Sequence, residues 1–336
     1  MRSFCAIATL LILTPLAALA AVSNPHPGLT LVTHSKRGTL IVNLCAPGVA
    51  VRATRYDERK RTAKSFGQLL GLQAAINADF FDFPAATKVI GRAKGDNQWW
   101  PAGKAWIQEQ SRPYWQFGPG LAQGVALGFD EPSLVAENIV GGHNVIMLNG
   151  QSTAPWVGDA PLLYGTHRRT GVGISKDRRT LYFTAVNQSI NVETLIAYMV
   201  ADAAEAGAPP IDYANNMDGG GSSQLWVQSP DWVISSTRQV ANHLGVWASG
   251  SGAAPNCTPK FVGSYAGMSW PSTSAFGVEG TVQLALNETQ DGWIKFTNSG
   301  DVPWSPGTTR LAPTPRDVPS PVASPDWIAP HRISGL

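Results

Sequence analysis

Residues 218–223 read Asp-Gly-Gly-Gly-Ser-Ser, and three consecutive residues without a side chain constrain this chain more than any other feature. Such a run loses too much backbone entropy to lie inside a helix or a strand, so the chain must turn at Gly219, Gly220 and Gly221. The segments on either side, Ile211 to Met217 and Gln224 to Gln228, read as strands. Taken alone, the glycines therefore predict a tight hairpin turn. They also permit a second use, because successive backbone N–H groups in such a turn form an anion-binding nest.

The clearest helix lies just upstream. Asn191 is a suitable N-cap and Glu193 sits in the first turn, where the helix dipole favours a negative charge. Val192, Leu195, Ile196, Met199, Val200 and Ala203 follow the stripe of an amphipathic helix, Gly207 ends it, and Pro209-Pro210 prevents a restart. Earlier, Thr62 is placed to cap a short helix with Phe66, Leu69 and Leu70 on one face. Gly38 to Leu44 and Val49 to Thr54 read as two strands joined by a turn at Pro47-Gly48, and Ala74 to Phe81 reads as a buried strand ending in polar groups. Short runs at Tyr114 to Phe117, Gly124 to Phe129 and Val145 to Leu148, and a last strand from Gln239 to Trp247, add antiparallel strands. The expected fold class is α+β: a mixed, largely antiparallel sheet with packed helices, plus a small, incomplete C-terminal β-sandwich.

Charge excludes one class of function. The chain has 336 residues, only 14% charged, with a formal charge of +2. That balance cannot supply the phosphate attraction on which nucleic-acid binders depend, so no nucleic-acid partner is expected.

The first twenty residues read as a signal peptide: Met1-Arg2 is a positive start, Cys5 to Leu19 is almost wholly apolar, and Ala18-Leu19-Ala20 fits the cleavage rule. A secreted chain, periplasmic or extracellular, beginning at Ala21 and not spanning the membrane is expected. Residues 21–248 would form the main domain, 249–260 a Gly/Ser/Pro-rich linker, and 261–336 a partial immunoglobulin-like sandwich with strands at Val282 to Leu286 and Trp293 to Thr297. Once Cys5 leaves with the signal, Cys45 and Cys257 remain in a compartment that permits a disulfide, and the spacing leaves their pairing open.

Polar residues gather where strands end. Asn77 and Asp79 lie two apart on one strand face and Asp82 starts the next loop, a trio that suits turn capping as well as chemistry. Arg169 and Arg238 each precede a strand, and arginine suits bidentate phosphate recognition. His243 alternates with apolar neighbours and reads as an interior residue. Ser222 lacks the surroundings of a nucleophile elbow. Trp99-Trp100 and Trp106 could stack on sugar rings or fill the core.

Four ordered segments, Ala75-Ile76-Asn77-Ala78-Asp79-Phe80-Phe81, Arg169-Thr170-Gly171-Val172-Gly173-Ile174, Met217-Asp218-Gly219-Gly220-Gly221-Ser222-Ser223 and Arg238-Gln239-Val240-Ala241-Asn242-His243-Leu244, resemble the phosphodiester glycosidase family. The resemblance runs from about Gly38 to Ala248; Arg168 stands where the family commonly has proline. It implies an enzyme that cleaves a sugar, such as N-acetylglucosamine, from a phosphodiester.

A phosphomonoester leaving group has a conjugate acid pKa of about 6, against 15.7 for water, so little protonation is needed to expel it. The site should supply an anion cradle and a carboxylate that serves the oxocarbenium-like centre or activates water. The cradle falls to the Gly219, Gly220 and Gly221 amides with Asn77, Ser222, Arg169 and Arg238, and the carboxylate to Asp218 with Asp79 as partner. A divalent cation on the oxygens of Asn77, Asp79 and Asp218 is a second option. The rival readings are a non-catalytic module that binds cell-envelope glycan and a metal-dependent phosphodiesterase cleaving P–O.

Overall fold

A computed structural model describes residues 20–101, 113–118, 121–126, 136–142, 144–155, 163–229, 231, 233–252 and 257, with strand backbone at 263–268, 294–298, 310–311 and 334–335. The expected signal peptide, Trp106 and most of the C-terminal sandwich, including Val282 to Leu286, lie outside these residues.

Three antiparallel sheets build the domain. The largest holds eight strands in the order β1 (Ala21–His26), β2 (Leu29–Thr33), β3 (Arg37–Asn43), β14 (Thr180–Ile190), β13 (His167–Ser175), β15 (Ile211–Asn216), β11 (Asn144–Leu148) and β12 (Gln151–Ser152). The second runs β17 (Val233–Ile234), β16 (Leu225–Val227), β5 (Ala74–Asn77), β18 (His243–Ala248) and β4 (Val49–Ala53). The third runs β7 (Gln98–Trp99), β6 (Lys94–Gly95), β10 (Asn138–Gly141), β8 (Tyr114–Gly118) and β9 (Leu121–Ala126). Every strand pair among the described residues is antiparallel, so the expectation of a mixed sheet is corrected. Beyond residue 260 the backbone pairs Gly263–Met268 with Ile294–Asn298, and Arg310–Leu311 with Ser334–Gly335.

The core lies between sheets. Leu31, Leu40, Val42, Val172, Ile174 and Phe183 of the large sheet meet Ile76, Leu225, Val227, Leu244 and Val246 of the second, with Trp115 and Phe117 of the third closing one side. Two α-helices cover outer faces. Helix α1 (Ala63–Leu70) is capped by Thr62, whose hydroxyl accepts from Ser65 N at 3.2 Å, and packs on the second sheet through Ala63, Phe66 and the ring of Trp226. That ring lies over Gly67, where any Cβ would overlap it, so the buried face of the helix is Ala63, Phe66 and Gly67. Leu69, expected inside, is consequently 48% exposed.

Helix α2 (Val192–Glu205) starts at the Asn191 cap, which accepts from Thr194 N at 2.9 Å, and buries Val192, Leu195, Met199 and Ala203 on Val32, Ile41, Tyr182 and Ala214 of the large sheet. Met199 seats directly over Gly171, where a Cβ would stand 2.7 Å from its sulfur. Val200, on the expected stripe, faces out at 46% exposure.

Two connections differ from local expectation. Gly38 to Leu44 and Val49 to Thr54 do not form a hairpin: β3 belongs to the large sheet and β4 to the second. The glycine-rich turn is likewise no hairpin, because β15 lies in the large sheet and β16 in the second. It is the crossing from one sheet to the other. Cys45 and Cys257 are bridged, with Cα atoms 5.8 Å apart, tying the β3–β4 connection to the segment after β18. Among the described residues no helix is long and apolar enough to cross a membrane.

Candidate active site

The site forms where the crossing between sheets passes the end of β5. Asn77, fully buried, is the clamp: its Nδ2 donates to the Asp218 carbonyl at 2.8 Å, while its Oδ1 accepts from Thr170 Oγ1 at 3.0 Å and from Gln224 N at 2.9 Å. One amide thus joins β5, β13 and both ends of the turn. The expectation that Asn77 contacts substrate is corrected: its polar atoms are spent inside the protein, and it positions Asp218.

The turn itself is shaped by its neighbours. Asp218 N donates to Ala78 O at 3.0 Å, which sets Asp218 beside the residue that follows Ala78, Asp79. Gly219 passes so close to β13 that a Cβ would stand 2.6 Å from the Arg168 carbonyl oxygen, and Gly220 adopts φ +58° in a short 3-10 turn spanning Gly220–Ser222. Residues 218–221 remain partly exposed. The turn and its aspartate therefore lie at the edge of the solvent.

Both carboxyls are held above their ordinary range. Asp79 is 2% exposed; burial pushes it up to about 8, and the charge of Asp218 adds to the rise, while the Asn242 side chain and the Gly141 amide oppose it. Asn242 embraces it, Oδ1 accepting from Asp79 N at 2.9 Å and Nδ2 donating to Asp79 Oδ2. The other carboxylate oxygen of Asp79 faces Gly141. Asp218 is raised by burial to about 7, against the Ser222 hydroxyl, the Gly219 amide and the Arg238 charge. Burial thus favours the protonated form of both carboxyls, and of Asp79 the more.

The two arginines separate. Arg238 lies at the turn: its guanidinium rests against Gly221, where a Cβ would stand 2.5 Å from Nη2, and Nη1 donates to Ser222 Oγ at 3.3 Å. Arg169 is corrected. It is 1% exposed, donates to the backbone carbonyls of Ile190 at 3.1 Å, Leu163 at 3.3 Å and Gly165 at 2.5 Å, and burial lowers its pKa to about 10. It braces the backbone beside β13 and leaves the cradle to Arg238.

Other sequence candidates resolve as structure. Asp82 accepts from Thr87 N at 2.7 Å, Thr87 Oγ1 at 2.6 Å and Lys88 N at 2.8 Å; burial alone would raise its pKa, but these bonds hold it low. His243 is fully buried, stacked on Phe66 at 4.9 Å, and burial lowers its pKa to about 3, so it stays neutral. Trp100 is buried in a small apolar cluster with Phe81, Val89 and Val240, whereas Trp99 is 53% exposed. Asn242 was missed as a functional group, although it stands in a quoted motif. Phe83 was missed altogether, since nothing in a Phe-Pro dipeptide signals an arginine's partner.

A divalent cation fits these residues poorly. The oxygen of Asn77 already accepts two hydrogen bonds, and the Arg238 charge acts on Asp218. Among the described residues, the His/carboxylate group close enough to hold an ion is His34, Asp202 and Glu205, where Arg37 Nη2 already donates to Asp202 at 3.0 Å. A cavity of about 850 Å³ beside the disulfide shares no residue with the site.

The family model described as phosphodiester glycosidase matches residues 70–247, just over half of the chain, from the end of α1 to β18. The chain belongs to the phosphodiester glycosidase family.

Among solved structures, the catalytic domain of zebrafish N-acetylglucosamine-1-phosphodiester α-N-acetylglucosaminidase, auto-inhibited by its pro-peptide, aligns with TM-score 0.47 and 13% identity over 68% of this chain and 82% of that one. A hypothetical protein from Synechocystis aligns with TM-score 0.43 and 11% identity over 68% and 61% of the two chains. An exported protein of Burkholderia pseudomallei gives TM-score 0.41 and 10% identity over 65% and 74%. A search of curated proteins finds no match. The matched span contains Asn77, Asp79, Arg169, Asp218 and Arg238, so the polar centre of the chain lies inside the span that the family model matches.

Proposed function

We propose that this member of the phosphodiester glycosidase family is a secreted hydrolase that cleaves a glycosyl-1-phosphodiester, of the N-acetylglucosamine-1-phosphodiester kind, to free sugar and phosphomonoester. One observation carries the reading: two neighbouring carboxyls, Asp79 and Asp218, adjoin a partly exposed glycine turn with Arg238 against it.

The chemistry follows from the charges. The anomeric C–O bond breaks, its electron pair leaves on the phosphate oxygen, and water supplies the hydroxyl at the anomeric carbon. The Gly220 and Gly221 amides and Arg238 hold the phosphate, whose charge grows as the bond breaks, while the Gly219 amide serves the Asp218 carboxylate. Asp218, the more accessible and more acidic carboxyl, is the base or nucleophile at the anomeric centre. Asp79 behind it keeps its proton, so the pair carries one negative charge and does not repel the substrate with two. Asn77, Asn242 and Arg169 hold the backbone and carboxyls in place.

The test is to incubate the mature protein and its Asp218→Asn variant with UDP-N-acetylglucosamine and assay sugar and phosphomonoester. Release by the wild type alone is expected, unaffected by chelator, with oxygen-18 from water entering the sugar. Label in the phosphate with chelator sensitivity would identify a P–O phosphodiesterase instead. Binding without turnover across a panel of sugar phosphodiesters would identify a glycan-binding module.

A further inference from the structure

Arg238 contributes the one long side chain of the proposed cradle, from a partly exposed segment, and an unrestrained guanidinium would spread over many rotamers. Here two neighbours hold it. Gly221 backs one side, and the ring of Phe83 lies against the guanidinium carbon, 4.3 Å from it to the ring centroid. The Arg238 backbone is also anchored, its N donating to Ser236 Oγ at 3.0 Å and its carbonyl accepting from Gln224 Nε2 at 2.8 Å.

Phe83 itself is 61% exposed, an unfavourable place for a phenyl ring unless the position is fixed for another reason. The loop that presents it is built tightly. Asp82, immediately before it, collects the three hydrogen bonds from Thr87 and Lys88, and Phe83 meets the buried Phe81 edge-on at 6.2 Å. The Asp82 cage, of no direct use to the chemistry, thereby acquires a purpose.

We propose that Phe83 is a positioning residue, holding the Arg238 guanidinium flat over the glycine turn so that its charge bears on Asp218 and on the substrate phosphate; the catalytic consequence rests on the glycosidase reading above. The charged groups that bear on Asp218 are Asp79 behind it and Arg238 over the turn. Without the ring, Arg238 swings towards water and its positive charge withdraws from Asp218. Its ionisation then moves to higher pH.

The experiment uses the full chain with Phe83→Ala, Phe83→Leu and Phe83→Tyr. Carbon-13 NMR titration of the Asp218 carboxyl reads the placement with no need for turnover. A higher titration midpoint in the Ala and Leu variants, restored in Tyr, supports the proposal; an unchanged titration in Phe83→Ala overturns it. With UDP-N-acetylglucosamine, kcat/KM should fall about three- to thirty-fold in Phe83→Ala, the range a cation–π contact accounts for. The pH limb reporting Asp218 should move up with it. In an Arg238→Gln background Phe83→Ala should cost nothing further, and an equal loss there would overturn the proposal. A wild type that turns over no sugar phosphodiester sinks the glycosidase reading alone, since the titration still decides where Phe83 holds Arg238.

Discussion

Replacing Asp79 by asparagine should make the protein more stable and less active, and the stability gain should grow with pH. The folded state holds Asp79 near 8, against an ordinary value of 3.8. Between those values the folded protein binds a proton that the unfolded chain has released, so its stability falls as pH rises. The stabilisation from this proton is complete below the unfolded pKa and lost as pH passes through the folded one. A tenfold difference in proton affinity between the folded and unfolded carboxyl is worth about 1.4 kcal/mol, so asparagine should gain up to about 5 kcal/mol between pH 4 and 8 and level off above. Part of the rise comes from the Asp218 charge, so Asp218→Asn should itself recover a fraction of the gain. The amide keeps an oxygen to accept from Asn242, while loss of the Gly141 contact to the other oxygen takes back part of the gain. Urea denaturation of wild type and variant at pH 5, 7 and 9 measures the difference. A stability difference that stays constant across those pH values would refute the reasoning.

Other expectations follow from the same contacts. Asn77→Ala strands the Asp218 carbonyl, the Thr170 hydroxyl and the Gln224 amide, and should cost about 2 to 4 kcal/mol in urea denaturation as well as abolishing turnover. Gly219→Ala and Gly221→Ala should behave differently: the first drives a Cβ into the Arg168 backbone and lowers Tm, while the second meets only the movable end of Arg238 and should lower kcat/KM at nearly unchanged Tm. The bridge closes a loop across a separation of 212 residues, so Cys45→Ser with Cys257→Ser should lower stability by up to about 5 kcal/mol on the chain-entropy account, read from thermal melts, while the folded protein keeps its activity.

How much of this could be read in advance depends on the range of the interaction. Helix α2 could be placed because Asn191, the apolar stripe and Gly207 act within a few residues of one another. The turn at 218–221 was legible because three glycines leave no other choice, and its aspartate was marked as chemistry by its place at a strand end. Which sheet each strand joins was not legible. Gly38 to Leu44 and Val49 to Thr54 carry the same β-branched pattern whether they pair together or separate, and only packing against β14 and β18 sent them apart.

The side-chain roles divide in the same way. Asn77, Arg169 and Arg238 looked equivalent in sequence, as polar groups at the ends of strands. Burial spent the first two on internal carbonyls and amides, and left Arg238 at the turn. The stacking of Phe83 on Arg238 joins residues far apart in the chain and has no local signature. Residue order alone thus determined the family, the local elements and the presence of a carboxylate beside a glycine turn, all encoded by neighbours and motifs. Only the tertiary structure decided which polar groups face the site and which carboxyl keeps the proton, because desolvation and long-range contact exist only once the sheets have closed.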